Sequence, residues 1–112
     1  MILVYHAKEM NPFPKAKEVI KEFDLGIVYD ASDNNAYSHV ASVNTDDMDQ
    51  AYMLTNHIHE NWCAELEDSL TGGFVKGDGK HRSTSVGDIF VCKDGIYLVD
   101  RIGFTLVRRF EV

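Results

Sequence analysis

The sequence lacks the features that would place it in or across a membrane. It has no apolar run near the roughly 20 residues that a membrane-spanning helix needs. Residues 1–6 are mostly apolar but follow no basic stretch, so they are typical of a β-strand and not of a signal peptide. We therefore expect a cytoplasmic protein with no membrane partner.

Cysteine is scarce, and its two positions fit no metal-binding or redox spacing. Cys63 and Cys92 lie far apart in the sequence and form neither a Cys-x-x-Cys pair nor a zinc-ligand pattern. Isolated cysteines of this kind are typical of small buried residues in a reducing compartment. We therefore expect no metal site and no cofactor.

Basic residues are absent from the middle of the chain. Residues 22–75 contain eleven acidic side chains and no lysine or arginine, whereas residues 1–21 and 76–112 each sum to +2, so the net charge is −7. A field of one sign repels nucleic acid and attracts basic protein surfaces. The alternative is that these acids only keep the protein soluble.

The composition is sufficient for one folded domain. Hydrophobic residues make up 45% of the 112 positions and aromatic residues 11%, which supports a core and argues against intrinsic disorder. We expect residues 1–112 to form a single domain, with a hairpin turn at Asp94 and Gly95. The predicted strands are residues 2–6, 25–30, 37–43, 85–93, 96–101 and 104–110.

Two helices are predicted between these strands. The first covers residues 14–23, where apolar side chains recur at helical spacing. The second begins in residues 44–47, which supply a capping oxygen and acids, and its buried stripe runs from Met48 to Trp62. The glycine-rich residues 64–82 are interpreted as a loop. This order predicts an α+β fold with an antiparallel sheet of five to six strands and two helices packed on one face.

The outward face of the second helix is a candidate partner-binding surface. Residues three or four apart lie on the same side of a helix, and this helix carries no lysine or arginine. A methionine adds an adaptable apolar contact among the acids. The alternative is an ordinary solvated helix face. The candidate residues are Asp46, Asp49, Met53, His57 and Glu60.

A metal site in residues 57–60 is not expected. His57 and His59 point to nearly opposite sides of a helix, so they do not share one ion. His57 and Glu60 share a side, but a zinc site needs a further ligand from a loop. We interpret His57 as an outward-facing histidine beside an acidic neighbour.

Residues 82–88 are a candidate anion or small-ligand site, with or without enzymatic activity. Arg82, Ser83, Ser85 and Asp88 are its candidate residues, since backbone N–H groups and an arginine can cradle an anion. The segment lacks the pattern of a phosphate-binding loop and the elbow of a serine hydrolase. The alternative is a strand entry in which these side chains satisfy a turn.

Two further functional classes find little support in the sequence. Carboxylates are abundant, but no pair stands out as an acid–base couple, so we predict no catalytic residue and no enzyme. Nucleic-acid binding requires a basic stripe with aromatic residues among it, and the acidic middle of the chain opposes it. The candidate basic set in the last third of the chain is Lys76, Lys80, Arg82, Arg101, Arg108 and Arg109.

The last third of the chain resembles a known family. Residues 82–91, Arg-Ser-Thr-Ser-Val-Gly-Asp-Ile-Phe-Val, and residues 94–104, a hairpin with a tyrosine and a closing Gly-Phe, resemble the signature of the YodL-like domains of bacteria, phages and mobile elements. Residues 4–6, 11–13 and 51–58, together with Trp62, are similar to small phage and plasmid proteins that carry the same signature.

The resemblance implies a source more than a chemistry. Accessory phage proteins of this size commonly bind host proteins, including restriction and other defence systems, and the family implies no catalytic residues. We therefore expect a non-enzymatic protein of a phage or mobile element that binds and inhibits or redirects a host factor, with an acidic surface that competes with DNA. Open sheet edges also predict a homodimer.

Overall fold

The computed structural model describes residues 1–8, 37–56, 61–77 and 79–110. The predicted helix at 14–23 and strand at 25–30 lie outside these residues. Neither of the two helices in the described ranges is long and apolar enough to cross a membrane. The strands and helices are β1 (Ile2–Ala7), β2 (Tyr37–Val43), α1 (Met48–Thr55), α2 (Trp62–Asp68), β3 (Gly73–Val75), β4 (Ile89–Val91), β5 (Gly95–Val99) and β6 (Phe104–Arg109).

The six strands form one antiparallel sheet in the order β3-β2-β1-β4-β5-β6. β1 pairs on one side with β2 and on the other with β4. β4, β5 and β6 follow one another as a meander, as consecutive strands usually do. The predicted α+β fold with an antiparallel sheet of five to six strands is therefore confirmed.

The sheet has buried residues on both faces. In β1, Val4 belongs to one core cluster and Tyr5 to the other, since successive side chains of a strand point to opposite faces. The register between β1 and β2 shifts beside these two residues. This bulge places the adjacent Val40 and Ala41 in the same cluster.

Both helices pack against the same face of the sheet. Ala51 of α1 and Trp62 and Leu66 of α2 are buried in the cluster that also contains Ile2 and Phe90. Trp62 is only 2% exposed, so a large aromatic side chain fills the space between α2 and the sheet. The predicted packing of two helices on one face is confirmed for α1 and α2.

The predicted long central helix is wrong in its extent. α1 begins after Asp47, whose carboxylate caps it by accepting hydrogen bonds from two N–H groups of the first turn. It ends at Thr55, because Asn56 leaves helical geometry with φ −126° and ψ 60°. Trp62, the predicted end of the buried stripe, is instead the first residue of α2.

The loop predicted at residues 64–82 contains most of α2 and all of β3. Asn61 caps α2 by accepting a hydrogen bond from the Cys63 N–H. α2 has seven residues and β3 has three, which is too few for either periodicity to stand out in the sequence. The glycines of this region led to the wrong interpretation.

The predicted strand at 85–93 is shorter in the structure, where only β4 is extended. The reason is a turn in which the Asp88 N–H donates to the Ser85 carbonyl. The β4–β5 turn also lies one residue earlier than predicted, since the Cys92 N–H already donates to the Gly95 carbonyl. β6 lies within its predicted range.

Both edge strands of the described sheet have features that oppose pairing with another chain. β3 is very short. In β6, the register with β5 shifts between Ile96 and Tyr97, which leaves Val107 as an extra residue ahead of Arg108 and Arg109. Short strands, bulges and charges all weaken edge-to-edge association. The edges that motivated the homodimer prediction are therefore poor templates.

Replacing Gly73 with alanine is expected to lower the free energy of unfolding by about 2 kcal/mol. A Cβ at this position would lie 2.7 Å from the Ser42 carbonyl oxygen and 2.9 Å from Leu66 Cγ, so β3 would have to move away from its neighbours. Gly72→Ala is the control, because its Cβ would meet no atom within 4 Å and only the φ of +79° is strained. Urea unfolding that finds both variants equally stable would contradict this packing of β3.

Candidate functional site

The loop of residues 82–88 is built around the carboxylate of Asp88, which is completely buried. Arg82 donates to both carboxylate oxygens at 2.7 Å. The backbone N–H groups of Ala7 and Ser85 donate to the same carboxylate at 2.8 Å. Bidentate, charge-assisted hydrogen bonds are among the strongest in proteins. The carboxylate therefore joins the end of β1 to a loop 81 residues later in the chain.

The predicted anion site is occupied by the chain's own acid. Arg82 and the Ser85 N–H, two of the donors expected to hold an external anion, both bind Asp88. Ser83 contributes its carbonyl, which accepts a hydrogen bond from Arg82 at 3.1 Å. Gly87 supplies the positive φ of the turn, 97°. The structure thus brings the four candidate residues together, with the Asp88 side chain and Gly87 in the roles that the turn alternative gives them.

The same loop anchors both helices. The Thr84 N–H donates to the Thr55 carbonyl at the end of α1, at 2.8 Å. The Asn56 side-chain amide donates to the Thr84 carbonyl at 2.9 Å. The indole N–H of Trp62, at the start of α2, donates to the Arg82 carbonyl at 2.9 Å. The loop therefore holds the end of α1 and the start of α2 in place.

His6 of β1 is buried beside this loop. Its Nε2 lies 2.9 Å from the Thr84 hydroxyl and 3.9 Å from the Asp88 carboxylate. Burial lowers the pKa of His6 to about 4; the Asp88 charge opposes this shift, and the charges of Arg82 and His81 add to it. Because Thr84 is also completely buried, the pair presents no nucleophile to solvent. At pH 7, His6 is a neutral side chain that joins β1 to the loop.

The acids at the start of α1 have three different roles. Asp46 accepts a hydrogen bond from the Met1 amino group at 2.8 Å, and this contact lowers the pKa of its carboxyl. Asp47 caps the helix. Asp49 is exposed, and Met53, four residues on, is 60% exposed. The remaining predicted members of the partner-binding surface lie outside the described residues: His57 and Glu60.

A further acidic surface lies on α2, where sequence reasoning expected a loop. Its buried side consists of Trp62, Cys63 and Leu66. The capping residue Asn61, followed by this apolar spacing, was the signal that could have identified the helix. Neither α1 nor α2 contains a basic residue. The exposed acids within the two helices, called the helical acidic surface below, are Asp49, Glu65, Glu67 and Asp68.

A cavity of about 220 Å³ lies between α1 and the turn that joins β5 to β6. Tyr52 and Phe104 line it, and their rings meet edge to face with 6.3 Å between centroids. Asp49 from the helix and Asp100 from the turn also line it, together with Arg101. Sequence reasoning identified Asp49 but not this cavity, which is called the Tyr52 cavity below.

The candidate basic set of the last third does not form one stripe. The Arg82 guanidinium binds Asp88. Arg101 precedes β6, whereas Arg108 and Arg109 lie at its other end. A strand of that length separates them by roughly 20 Å. The arrangement gives no support to nucleic-acid binding through these residues.

The described ranges contain no group of three or more His, Cys, Asp or Glu side chains placed to hold a metal ion. The two cysteines are not joined in a disulfide, and Cys63 is buried. Burial raises the pKa of the Cys92 thiol to about 11, so at pH 7 it is protonated and a poor nucleophile.

Comparison with protein-family models, curated proteins and solved structures finds no match to this chain. The resemblance of residues 82–91 and 94–104 to the YodL-like domains therefore stays a prediction. The candidate functional site rests on the geometry of the chain itself, namely the helical acidic surface and the Tyr52 cavity.

The free energy of unfolding is expected to fall as the pH drops below 6.5, because His6 is neutral in the folded chain. The pKa of His6 is about 4 when folded and 6.5 when unfolded, so the unfolded chain binds the proton first. This linkage removes about 2.5 kcal/mol between pH 7.5 and pH 4.5. Urea unfolding at both pH values measures the loss, with His6→Gln as the non-titrating control. An equal loss in parent and variant would contradict a buried neutral His6.

Proposed function

We propose that this chain is a non-enzymatic interaction protein that binds a host protein through the helical acidic surface and inhibits or redirects it. The partner has a basic, DNA-facing surface, so binding competes with DNA. In keeping with the resemblance in residues 82–104, the proposed setting is the cytoplasm of a bacterial host. The chain is then a product of a phage or mobile element that acts in counter-defence or anti-restriction.

The placement of the acids is the observation that carries this proposal. α1 and α2 cover the same face of the sheet, and their exposed sides carry acids but no lysine or arginine. A surface of one sign steers and orients a partner of opposite sign. Such a surface is also unfavourable for a DNA backbone, which supports a protein partner over nucleic acid.

The acidic residues at the end of α2 do not stabilise the helix, so helix stability does not explain their presence. Glu67 and Asp68 lie in the last turn, and no basic residue accompanies them there. The negative end of the helix dipole repels acids at this position, at a cost of roughly 0.3–1 kcal/mol each at an exposed site. Residues that oppose the stability of their own helix are typical of a surface selected for binding.

The alternative functions lack a comparable observation. A small-ligand or enzymatic site at Arg82 and Asp88 would need donors that these residues use for each other. The predicted homodimer is not part of the proposal, because β3 is short and β6 is bulged and charged.

Capture of host proteins from a bacterial lysate tests the proposal when the parent is compared with two charge reversals. Glu67→Lys changes the helical acidic surface, and Asp94→Lys changes the β4–β5 turn, which belongs to neither helix. Each variant has a net charge of −5 instead of −7. We expect the parent to retain a DNA-binding protein at low and moderate salt, Glu67→Lys to bind it about tenfold more weakly, and Asp94→Lys to bind it like the parent.

A second step measures competition. Added double-stranded DNA is expected to release the captured protein from the parent, because both ligands use the same basic surface of the partner. The proposal is wrong if the parent retains no protein at either salt concentration. It is also wrong if Glu67→Lys retains as much as Asp94→Lys, since net charge and not the helical acidic surface would then control binding.

A further inference from the structure

The Tyr52 cavity has an aromatic wall that is anchored in the core. The ring of Phe104 packs against Phe90, with 5.5 Å between centroids, and Phe90 is completely buried. Tyr52 meets Phe104 at an angle of 70°. The π face of an aromatic ring attracts a cation placed over it. The position of the wall is therefore set by the fold before any ligand arrives.

Two carboxylates, one from each of two elements, line the cavity together with this wall. Asp100 is held in place because its carboxylate accepts hydrogen bonds from the Thr105 hydroxyl at 2.7 Å and from the Arg101 N–H at 2.8 Å. Asp49 comes from α1, which lines the cavity together with the β5–β6 turn. Both carboxylates are on exposed residues, so an incoming cation reaches them without displacing the core.

We propose that the Tyr52 cavity binds the side chain of one arginine of the partner protein. This inference rests on the proposed function, and it identifies the contact by which the acidic surface recognises a basic partner. A guanidinium is planar, so it stacks on an aromatic ring while its edge donates hydrogen bonds to carboxylates. The ammonium group of lysine is a compact, strongly hydrated charge, so it binds to such a site more weakly.

The size of the cavity supports a single side chain as the occupant. Pockets for cofactors and drug-sized ligands have volumes of roughly 300–1,000 Å³. The Tyr52 cavity, at about 220 Å³, is smaller. Its lining, which combines rings and carboxylates, matches the chemistry of a basic side chain and not that of an apolar ligand.

Exposed apolar side chains adjoin the cavity in sequence. Met53 lies four residues after the lining residue Asp49, on the same side of α1, and is 60% exposed. Ile102 lies between two lining residues in the sequence and is 95% exposed. Apolar contacts around a charged anchor exclude water and strengthen it. Arg101 has the opposite effect, because its charge repels an incoming guanidinium.

Titration of the full-length chain with blocked tripeptides tests the inference by two-dimensional NMR. The probes are acetyl-Gly-Arg-Gly-amide, its lysine analogue and its uncharged citrulline analogue. We expect the arginine probe to bind with a Kd on the order of millimolar and to shift the amide signals of Asp49, Tyr52, Gly103 and Phe104. The lysine probe is expected to bind more weakly and the citrulline probe not at all.

Matched variants separate the cavity from the general acidity of the helices. Asp49→Asn is expected to weaken binding of the arginine probe about fivefold. Glu67→Gln removes the same charge outside the cavity and is expected to leave the Kd of the probe unchanged. Tyr52→Leu is expected to weaken binding of the arginine probe about threefold, whereas Tyr52→Phe, which keeps the ring, is expected to leave binding unchanged. Arg101→Gln is expected to strengthen binding of the arginine probe, because it removes the charge that repels a guanidinium.

Three results would overturn the inference: equal shifts with citrulline, tighter binding of lysine than of arginine, or equal weakening by Asp49→Asn and Glu67→Gln. In each of these cases the proposed function still stands if capture of the host protein depends on Glu67. Conversely, if the arginine probe binds the cavity while no host protein is captured, the cavity assignment is supported and the proposed function is wrong.

Discussion

The buried carboxylate of Asp88 connects parts of the chain that are remote in sequence. It accepts hydrogen bonds from the end of β1, from the Ser85 N–H and from both arms of the Arg82 guanidinium. A buried charge is tolerated only when such partners replace its lost hydration. Because the loop around it also binds the end of α1 and the start of α2 through Thr84 and Trp62, the positions of both helices depend on this one group.

This arrangement separates structural from exposed polar groups. The side chains of residues 82–88 resemble an anion site in sequence, yet the Arg82 guanidinium and the Ser85 N–H bind the chain's own Asp88, and the Thr84 hydroxyl is paired with His6. The acids of α1 and α2 remain on the outside, on the helices that the loop holds against the sheet. The Tyr52 cavity depends on the same placement, since Asp49 and Tyr52 come from α1 whereas Phe104 comes from an edge strand. The proposed binding surface is therefore a consequence of how the helices are anchored.

Local patterns in the sequence were sufficient to predict part of this structure. A short apolar run identified β1, alternation identified β2, and the capping acids before Met48 located the start of α1. The break after Thr55 was not predicted, because apolar residues continue at helical spacing through it. α2 and β3 are too short to give a periodic signal. The role of Asp88 could not be predicted, since its partner in β1 lies 81 residues away and no local pattern encodes that contact.

Hydrogen exchange in Asp88→Asn tests the central claim most directly. Loss of the charge breaks the ion pair with the Arg82 guanidinium, which also donates to the carbonyls of Ala7 and Ser83. Because the Arg82 side chain is partly exposed, we expect the free energy of unfolding to fall by about 3 kcal/mol, at the lower end of the cost of breaking a buried pair. We expect lost protection at the amides of Ala7 and Ser85, which bind the carboxylate. We also expect lost protection at the amide of Thr84, which binds the end of α1. Parent-like stability with full protection of the Thr84 amide would contradict the claim that this carboxylate positions the helices.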